Sequence, residues 1–257
     1  MKYSKKILLS KNKYSIGILA SNKIGFEIAN ILKDKFKINT IITTKKITSE
    51  NYFKTFNKKN IKKFIFLDNQ NLNYSENKKK LKSIKIDILI NASWNKLIPK
   101  WFLDEIKILS IGGHVSPRKL ELGRGQSPLS WIMINGYKTF NFFIFKINEG
   151  IDDGHLIFKK KIEILESHKI SDVYKKIILE YCASIENLFK KKIILKKQNN
   201  GEGHFFPKRI PKDSEISWDN KMDKIIQFIN ANNYPNPLSF TEINKNKIEI
   251  IEGVKFN

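Results

Sequence analysis

Short apolar runs alternate with polar and amphipathic stretches along the first half of this chain. Apolar runs bounded by polar residues are typical of buried strands. They predict strands at Tyr14–Ala20, Ile38–Thr43, Lys63–Leu67, Ile86–Asn91 and Ile108–Ile111. Apolar residues at helical spacing predict a helix over Ile24–Asp34, with Ser21 or Asn22 as its cap. The alternation predicts an α/β fold, a Rossmann-like, mostly parallel sheet with helices on both faces.

The second half of the chain predicts two long strands and two helices. The strands, at Phe140–Ile147 and His155–Ile164, flank the turn NEGIDDG. The helices are predicted at Gln126–Asn135, before these strands, and at Ile170–Lys197, after them. A lysine-rich stretch of the first half, Asn77–Lys85, is also expected to form a solvated helix.

A polar, glycine-containing stretch at residues 199–203 predicts a linker. It divides the chain into a main α/β domain at residues 1–198 and a small C-terminal α+β appendage at residues 199–257. The appendage is expected to hold a helix near Trp218–Asn232 and a closing hairpin at Ser239–Ile251. A domain of about 200 residues is long enough to bury a sizeable core.

Composition excludes several classes of protein. The chain is 41% hydrophobic, which is too apolar for a disordered chain. No apolar run approaches the roughly 18–20 residues that span a bilayer, and the N-terminal apolar stretch is too short for a signal peptide. We therefore expect a soluble, cytoplasmic protein that makes no membrane contact. One cysteine, Cys182, excludes an internal disulfide framework, and the spacing of the four histidines gives no support for a metal site.

The charge allows two interpretations. The chain has 48 Lys and Arg residues against 25 Asp and Glu residues, a formal net charge of +23. Such an excess can mark a nucleic-acid partner or an anionic substrate. However, Arg118, Arg124 and Arg209 are the only arginines, and phosphate-reading surfaces favour arginine for its bidentate geometry. Because Lys, Asn and Ile all have A/T-rich codons, a solvated lysine-rich surface is the preferred interpretation, and nucleic acid is not the expected partner.

Two polar features lie where a parallel sheet binds its ligands. His114 follows the apolar run ILSI in the sequence GGHVSP, at the expected carboxyl end of a strand. The turn NEGIDDG carries Glu149, Asp152 and Asp153. A histidine and a carboxylate at strand ends can form an acid–base pair, although a capping histidine and a solvated acidic turn would also fit. No G-x-G-x-x-G or P-loop motif is present, so the sheet alone does not imply NAD or ATP.

Taken together, these motifs resemble the 10-formyltetrahydrofolate-dependent formyltransferases. The resemblance lies in GGHVS at 112–116, GRGQSPLSW at 123–131 and INEGIDDGHL at 147–156. The upstream segment ASWNKLIPKWFLDE and the downstream segment FFPKRIPKDSEISW also resemble family segments. The match is strongest over residues 86–165. Several ordered motifs at suitable separations are far more specific than any one of them.

The resemblance implies a role for particular residues. His114 falls on the catalytic histidine and Asp152 on the catalytic aspartate of the family. N10-formyltetrahydrofolate is the implied formyl donor. The residues implied to bind it are Trp94, Asn95, Lys96, Leu97, Ile98, Glu149, Gly150 and Ile151. The residues expected to contact the acceptor substrate are Ser116, Arg124 and Gln126.

One position departs from the family pattern. The family has an asparagine that helps to hold the formyl oxygen, and Gly112 stands at its place. Another donor is expected to replace it, and protonated His114, Gln126 and Asn91 are the candidates. Otherwise the rate is lower or the activity is lost, since one such donor is typically worth about 2.7–4 kcal/mol in the transition state. We also expect that Gly112→Asn does not raise activity, because the site is built around the missing side chain and any positive φ there would penalise a larger residue.

The acceptor is the least determined part of the function. The resemblance favours the primary amine of a nucleotide-linked amino sugar, a small molecule of the kind used in lipopolysaccharide or surface glycan biosynthesis. The stretch after the linker is too short for the full C-terminal barrel of the enzymes that formylate methionyl-tRNA. The alternatives that stay open are a methionyl-tRNA formyltransferase and a catalytically weakened member that acts as a binding protein. A homodimer is a further expectation.

Overall fold

The computed structural model describes residues 6–10, 13–45, 56, 61–199 and 203–255. They form two compact units. The first lies within Met1–Gly113, Ile144–Phe158 and Ile178–Gln198, and the second within His114–Phe143, Lys159–Ile177 and Asn199–Asn257. One border between the units coincides with the predicted boundary at residue 198. The assignment of residues 199–257 to a separate domain stays a prediction, and the expected linker falls mainly on residues 200–202, outside the described residues.

Thirteen strands and six α-helices are formed by the residues that the structure describes. The strands are β1 (Lys6–Leu8), β2 (Ile16–Ala20), β3 (Ile38–Thr44), β4 (Ile61–Leu67), β5 (Ile86–Ala92), β6 (Ile106–Ser116), β7 (Arg124–Gly125), β8 (Thr139–Lys146), β9 (Leu156–Glu163), β10 (Lys192–Ile194), β11 (Phe205–Phe206), β12 (Ser239–Ile243) and β13 (Asn246–Ile250). The helices are α1 (Lys23–Lys35), α2 (Ser75–Leu81), α3 (Lys100–Asp104), α4 (Pro128–Ile134), α5 (Ile170–Leu188) and α6 (Met222–Ala231).

The central sheet has seven strands in the order β4-β3-β2-β5-β6-β8-β9. The pairs β2–β3, β3–β4, β2–β5 and β5–β6 are all parallel. The mostly parallel α/β sheet expected from the sequence is thus confirmed. The strand order reverses at β2, because β3 and β4 follow on one side of it and β5 and β6 on the other. In open parallel sheets, ligands bind at the carboxyl ends of the strands beside such a reversal.

Burial explains why the apolar runs become central strands. All five residues of β2 are buried, and the side chains of Ile16, Ile18 and Leu19 are fully excluded from solvent. A strand that is buried on both faces needs a continuous apolar run rather than an alternating one. The predicted cap of α1 is also confirmed, since the Asn22 side-chain oxygen accepts a hydrogen bond from the Gly25 backbone N–H at 3.0 Å.

Three smaller sheets accompany the central one. Strands β1 and β10 pair antiparallel, β7 and β11 pair parallel, and β12 and β13 form the closing hairpin that the sequence predicted. In the second unit, Ile216, Ile225 and Ile229 form a buried cluster against which Phe228 and Ile250 pack. Helix α6 therefore has an apolar face of its own. Strand β9 stands last in the order of the central sheet and carries three exposed lysines, Lys159, Lys160 and Lys161.

Several predicted boundaries were wrong. Helix α5 ends at Leu188 rather than Lys197, because residues 192–194 leave the helix to pair with β1. Strand β6 does not stop at Ile111 but continues through both glycines to Ser116. The lysine-rich helix α2 begins and ends earlier than predicted, and α6 begins at Met222 rather than Trp218. Within the described ranges, no helix is long and apolar enough to cross a bilayer.

Tyr181 connects α5 to the end of β5, and its loss is expected to cost stability. Its buried hydroxyl donates a hydrogen bond to the backbone carbonyl of Asn91 at 2.8 Å. Tyr181→Phe keeps the ring and removes this bond, so the free energy of unfolding should fall by about 1 kcal/mol in a denaturant titration. Tyr74→Phe, at an exposed tyrosine, is the control and should change it by less than about 0.5 kcal/mol. Equal values for the two variants would contradict this role of the hydroxyl.

Candidate active site

The end of β5 holds a strained backbone next to the strand reversal. Ser93 has a left-handed φ of 62°, which is uncommon for a residue with a side chain. Asn22, at the end of β2, donates its amide to the Ser93 carbonyl at 3.2 Å and to the Ser93 hydroxyl at 2.9 Å. The Asn91 side-chain oxygen accepts the Trp94 N–H at 2.8 Å. These bonds hold the turn in a conformation that it would not adopt by itself.

The segment after this turn was predicted to bind the formyl donor. Its two large apolar ends are buried, with Trp94 at 5% and Ile98 at 3% exposure, whereas Leu97 between them is 59% exposed. Asn95 and Lys96 are also exposed. The Trp94 indole Nε1 is buried, and the described residues provide no hydrogen-bond acceptor for it. Because buried donors are rarely unsatisfied in proteins, this N–H is a site where a ligand acceptor would be stabilised.

Gly112 is buried in β6. Phe145 of β8 and Ile147, which follows β8, pack against its backbone. A Cβ at this position would lie 3.0 Å from Phe145 Cζ and 3.1 Å from Ile147 Cγ1. The φ at Gly112 is not positive, so a left-handed backbone is not the reason for a glycine here. A glycine is favoured here because neighbouring side chains occupy the space, and not because of its own backbone torsion.

The acidic turn, which we define as residues 149–154, follows β8 directly. Glu149, Gly150 and Ile151 are exposed, and Asp152 is half-buried with a left-handed φ of 50°. Aspartate tolerates this conformation better than most residues, yet it still carries strain. At the other end of the turn, a Cβ on Gly154 would overlap the Lys146 carbonyl oxygen. Only glycine allows this close approach of backbone to backbone.

Gln198 contacts the acidic turn, and the sequence reasoning missed it. Its side chain is 4% exposed. Its amide nitrogen donates to the Asp152 carbonyl at 2.8 Å and to the Gly154 carbonyl at 2.6 Å. The neighbouring backbone approaches the same region, since Leu156 and Lys196 form an antiparallel bridge. In the sequence, Gln198 stands next to a polar linker, where a glutamine carries no signal.

His114 belongs to the second unit, and its ring has a defined hydrogen bond. Its Nε2 lies 2.8 Å from the Gly123 carbonyl oxygen. A carbonyl oxygen can only accept, so Nε2 carries a proton and donates it. In the neutral imidazole the lone pair then resides on Nδ1. His114 lies within β6, two residues before its end, because the strand continues past Ile111, where it was predicted to stop.

The residues expected to contact the acceptor lie at the end of β6 and in the loop after it, which includes the short strand β7. Ser116 is fully buried, and its hydroxyl donates to the Lys119 carbonyl at 2.6 Å, which shapes the loop. Arg124 is half-buried in β7, where it pairs with Phe205 of β11. Gln126 has an exposed side chain, and its N–H donates to the Phe206 carbonyl at 3.1 Å. Backbone pairing with the chain after the predicted linker therefore fixes this loop.

The predicted site residues divide between the two units. The first unit contains Asp152 and the residues expected to bind the donor, namely Trp94, Asn95, Lys96, Leu97, Ile98, Glu149, Gly150 and Ile151. The second contains His114, Ser116, Arg124 and Gln126. Three of the non-glycine residues with a positive φ, at Ser93, Ser127 and Asp152, fall within or beside these sets. Strained backbone of this kind tends to mark functional sites.

Comparison with known proteins agrees with the motifs. A family model described as formyl transferase matches residues 15–181. The methionyl-tRNA formyltransferase of Thermodesulfovibrio yellowstonii is 31% identical over 181 residues, which cover 68% of this chain and 56% of that protein. The chain thus spans about half the length of the curated relatives it matches.

Two solved structures share the fold over nearly the whole chain. A 4-N formyltransferase from Francisella tularensis has a TM-score of 0.66 at 20% identity, and the match covers 95% of this chain and 99% of that protein. An N-formyltransferase from Helicobacter canadensis, in complex with folinic acid and dTDP-3-aminofucose, has a TM-score of 0.63 at 19% identity. This match covers 93% of this chain and 87% of the Helicobacter canadensis protein. At these identities the likeness shows the fold alone.

A side chain at Gly112 is expected to disturb the packing of β8. Gly112→Asn should lower the free energy of unfolding by about 1–3 kcal/mol, because Phe145 and Ile147 must move. The loss should be smaller in a Phe145→Leu background, where the ring is absent, and a double-mutant cycle in denaturant measures the difference. Gly113→Asn, at the exposed neighbouring position, is the control. An additive cycle would show that the ring does not oppose the new side chain.

Proposed function

Because this chain belongs to the formyl transferase family, we propose that it transfers a formyl group from N10-formyltetrahydrofolate to the primary amine of a nucleotide-linked amino sugar. One observation carries the proposal. The family match over residues 15–181 includes both His114 and Asp152, the two residues to which the sequence resemblance gives catalytic roles. An acceptor of this kind would belong to lipopolysaccharide or surface glycan biosynthesis in the cytoplasm, and a homodimer remains part of the proposal.

The residues at the end of β5 suit a folate. Trp94 offers a buried indole N–H without an acceptor among the described residues, and Leu97 offers an exposed apolar side chain. A flat heterocycle with a carbonyl oxygen could accept a hydrogen bond from the Trp94 N–H and cover the apolar side chain of Leu97. The exposed backbone of Glu149, Gly150 and Ile151 provides further polar groups. When bound, N10-formyltetrahydrofolate supplies an activated formyl group.

His114 is proposed to accept the proton of the attacking amine. Its Nε2 proton is held by the Gly123 carbonyl, so Nδ1 is the atom that can take up a proton. The imidazolium formed in this way would keep the Nε2–H bond to the same carbonyl. That bond fixes the ring orientation in both protonation states. A fixed ring lowers the reorganisation needed during proton transfer.

Asp152 is proposed to relay a proton to the leaving nitrogen. An ionised carboxylate can only accept a hydrogen bond, whereas a protonated one can donate its proton. The backbone of Asp152 is held in a left-handed conformation, and its carbonyl accepts a hydrogen bond from Gln198. Such fixed geometry is what general acid–base catalysis requires.

Asn91 is the best-supported replacement for the amide missing at Gly112. Ile90 of β5 pairs with Ile111 of β6, so Asn91 and Gly112 are the next residues on neighbouring strands. The Asn91 oxygen accepts the Trp94 N–H, which leaves its amide nitrogen as the group that can donate. We propose that this nitrogen stabilises the negative charge on the formyl oxygen.

A nucleotide-linked sugar is favoured over tRNA as the acceptor for two reasons. Arginine suits a diphosphate, and half-buried Arg124 lies in the loop that follows His114. The Helicobacter canadensis neighbour was solved with a dTDP-linked amino sugar, which supports this class. A methionyl-tRNA acceptor remains the alternative, since the Thermodesulfovibrio yellowstonii relative carries that name.

The two proposed catalytic residues are tested by substitution. His114→Ala and Asp152→Asn should each lower the formylation rate at least about 100-fold, the usual scale for acid–base groups, while both proteins stay folded. Matched controls are His168→Ala, at a histidine whose ring accepts the Leu165 N–H, and Asp153→Asn, at the exposed neighbour. Turnover within about threefold of wild type in either test variant would refute its assignment.

The acceptor is tested by direct comparison. We expect kcat/KM to be at least tenfold higher for a nucleotide-linked amino sugar than for methionyl-tRNA. Binding to generic tRNA should be weak and should decline steeply with salt, as expected for lysine contacts to phosphate. Selective sub-micromolar binding of initiator tRNA at physiological salt would overturn the sugar acceptor. A tenfold gain in kcat/KM from Gly112→Asn would instead indicate a weakened family member.

A further inference from the structure

The side chain of Gln198 bonds to the main chain of the acidic turn. Both hydrogens of its amide nitrogen are used, one for the Asp152 carbonyl at 2.8 Å and one for the Gly154 carbonyl at 2.6 Å. These carbonyls lie on either side of Asp153. The glutamine itself is buried, and the bridge between Leu156 and Lys196 brings its backbone to the turn.

The turn would not keep its shape without such partners. Asp152 has a left-handed φ of 50°, a conformation that costs free energy for any residue with a Cβ. Strained backbone persists only where the surrounding structure imposes it. At Gly154 the Lys146 carbonyl packs closely against the backbone and holds it in place. At Asp152 the described partner of the backbone carbonyl is the amide of Gln198.

We propose that Gln198 is a positioning residue that directs the Asp152 carboxylate during formyl transfer. The backbone torsions of a residue restrict the rotamers that its side chain can adopt. If the two hydrogen bonds are lost, φ at Asp152 can relax out of the left-handed region, and the carboxylate turns with it. The inference rests on the proposed function, because it requires Asp152 to act in the reaction.

Gln198→Met tests the role, since methionine has a similar length and no donor. We expect kcat to fall about tenfold and KM for the acceptor to stay within about twofold. In an Asp152→Asn background the same substitution should change kcat by less than about twofold, because the carboxylate that it directs is gone. A purely structural role would lower kcat by the same factor in both backgrounds, and that result would overturn the proposal.

Gln227 offers a matched control in the second unit. Its amide nitrogen also donates to two backbone carbonyls, those of Met133 at 2.9 Å and Ile134 at 3.1 Å. Gln227→Met should lower thermal stability and leave kcat within about twofold. An equal loss of kcat in both variants would mean that any buried amide has this effect, and would exclude a specific role for Gln198.

A second variant and hydrogen exchange distinguish the positioning role from a loss of folding and from a failure of the proposed function. If Gln198→Met does not fold, Gln198→Glu keeps the shape and places carboxylate oxygens against both carbonyls, and we expect the same loss of kcat. Hydrogen exchange of the turn amides should be about tenfold faster in either variant. Faster exchange with unchanged kcat would overturn the positioning role alone. If the wild-type protein transfers no formyl group, the proposed function itself is refuted, even if exchange is faster in the variants.

Discussion

The close packing of the β6 backbone at Gly112 is the constraint on which the candidate residues of the first unit depend. Phe145 and Ile147 occupy the space that a side chain would need. The Ile147 N–H also donates to the Ser110 carbonyl at 2.8 Å, so packing and hydrogen bonding act at the same point. The acidic turn starts two residues later. Its position is therefore set by a contact made within the core rather than by the turn itself.

Much of the fold could be predicted because it follows from local periodicity. The buried strands β2, β3 and β5 are rich in apolar and β-branched residues, and Asn22 is a standard helix cap, so each leaves a signal in adjacent residues. The elements of the candidate site were found in a different way, through ordered motifs around His114 and the acidic turn. Motifs identify residue types, whereas periodicity identifies secondary structure.

The parts that could not be predicted depend on residues far apart in the sequence. Helix propensity continues past Leu188, and only pairing with β1 converts residues 192–194 into a strand. Gly112 and Gly113 lower strand propensity, yet β6 continues through them in the central sheet. The bonds of Gln198 span more than forty residues, with sequence separations of 46 and 44. No short window of sequence contains both partners of such a contact.

Three of the lysines that make the chain so basic lie on strand β9, where their charge affects association between sheets. An edge strand offers unpaired backbone groups to any other exposed strand, and charged side chains oppose such pairing. Lys159, Lys160 and Lys161 lie together on the last strand of the described sheet. The lysine excess, whatever its origin in codon usage, therefore works against sheet-to-sheet aggregation. This protection relies on electrostatic repulsion, so it should be strongest in dilute buffer and fade as the Debye length shortens to about 3 Å near 1 M salt.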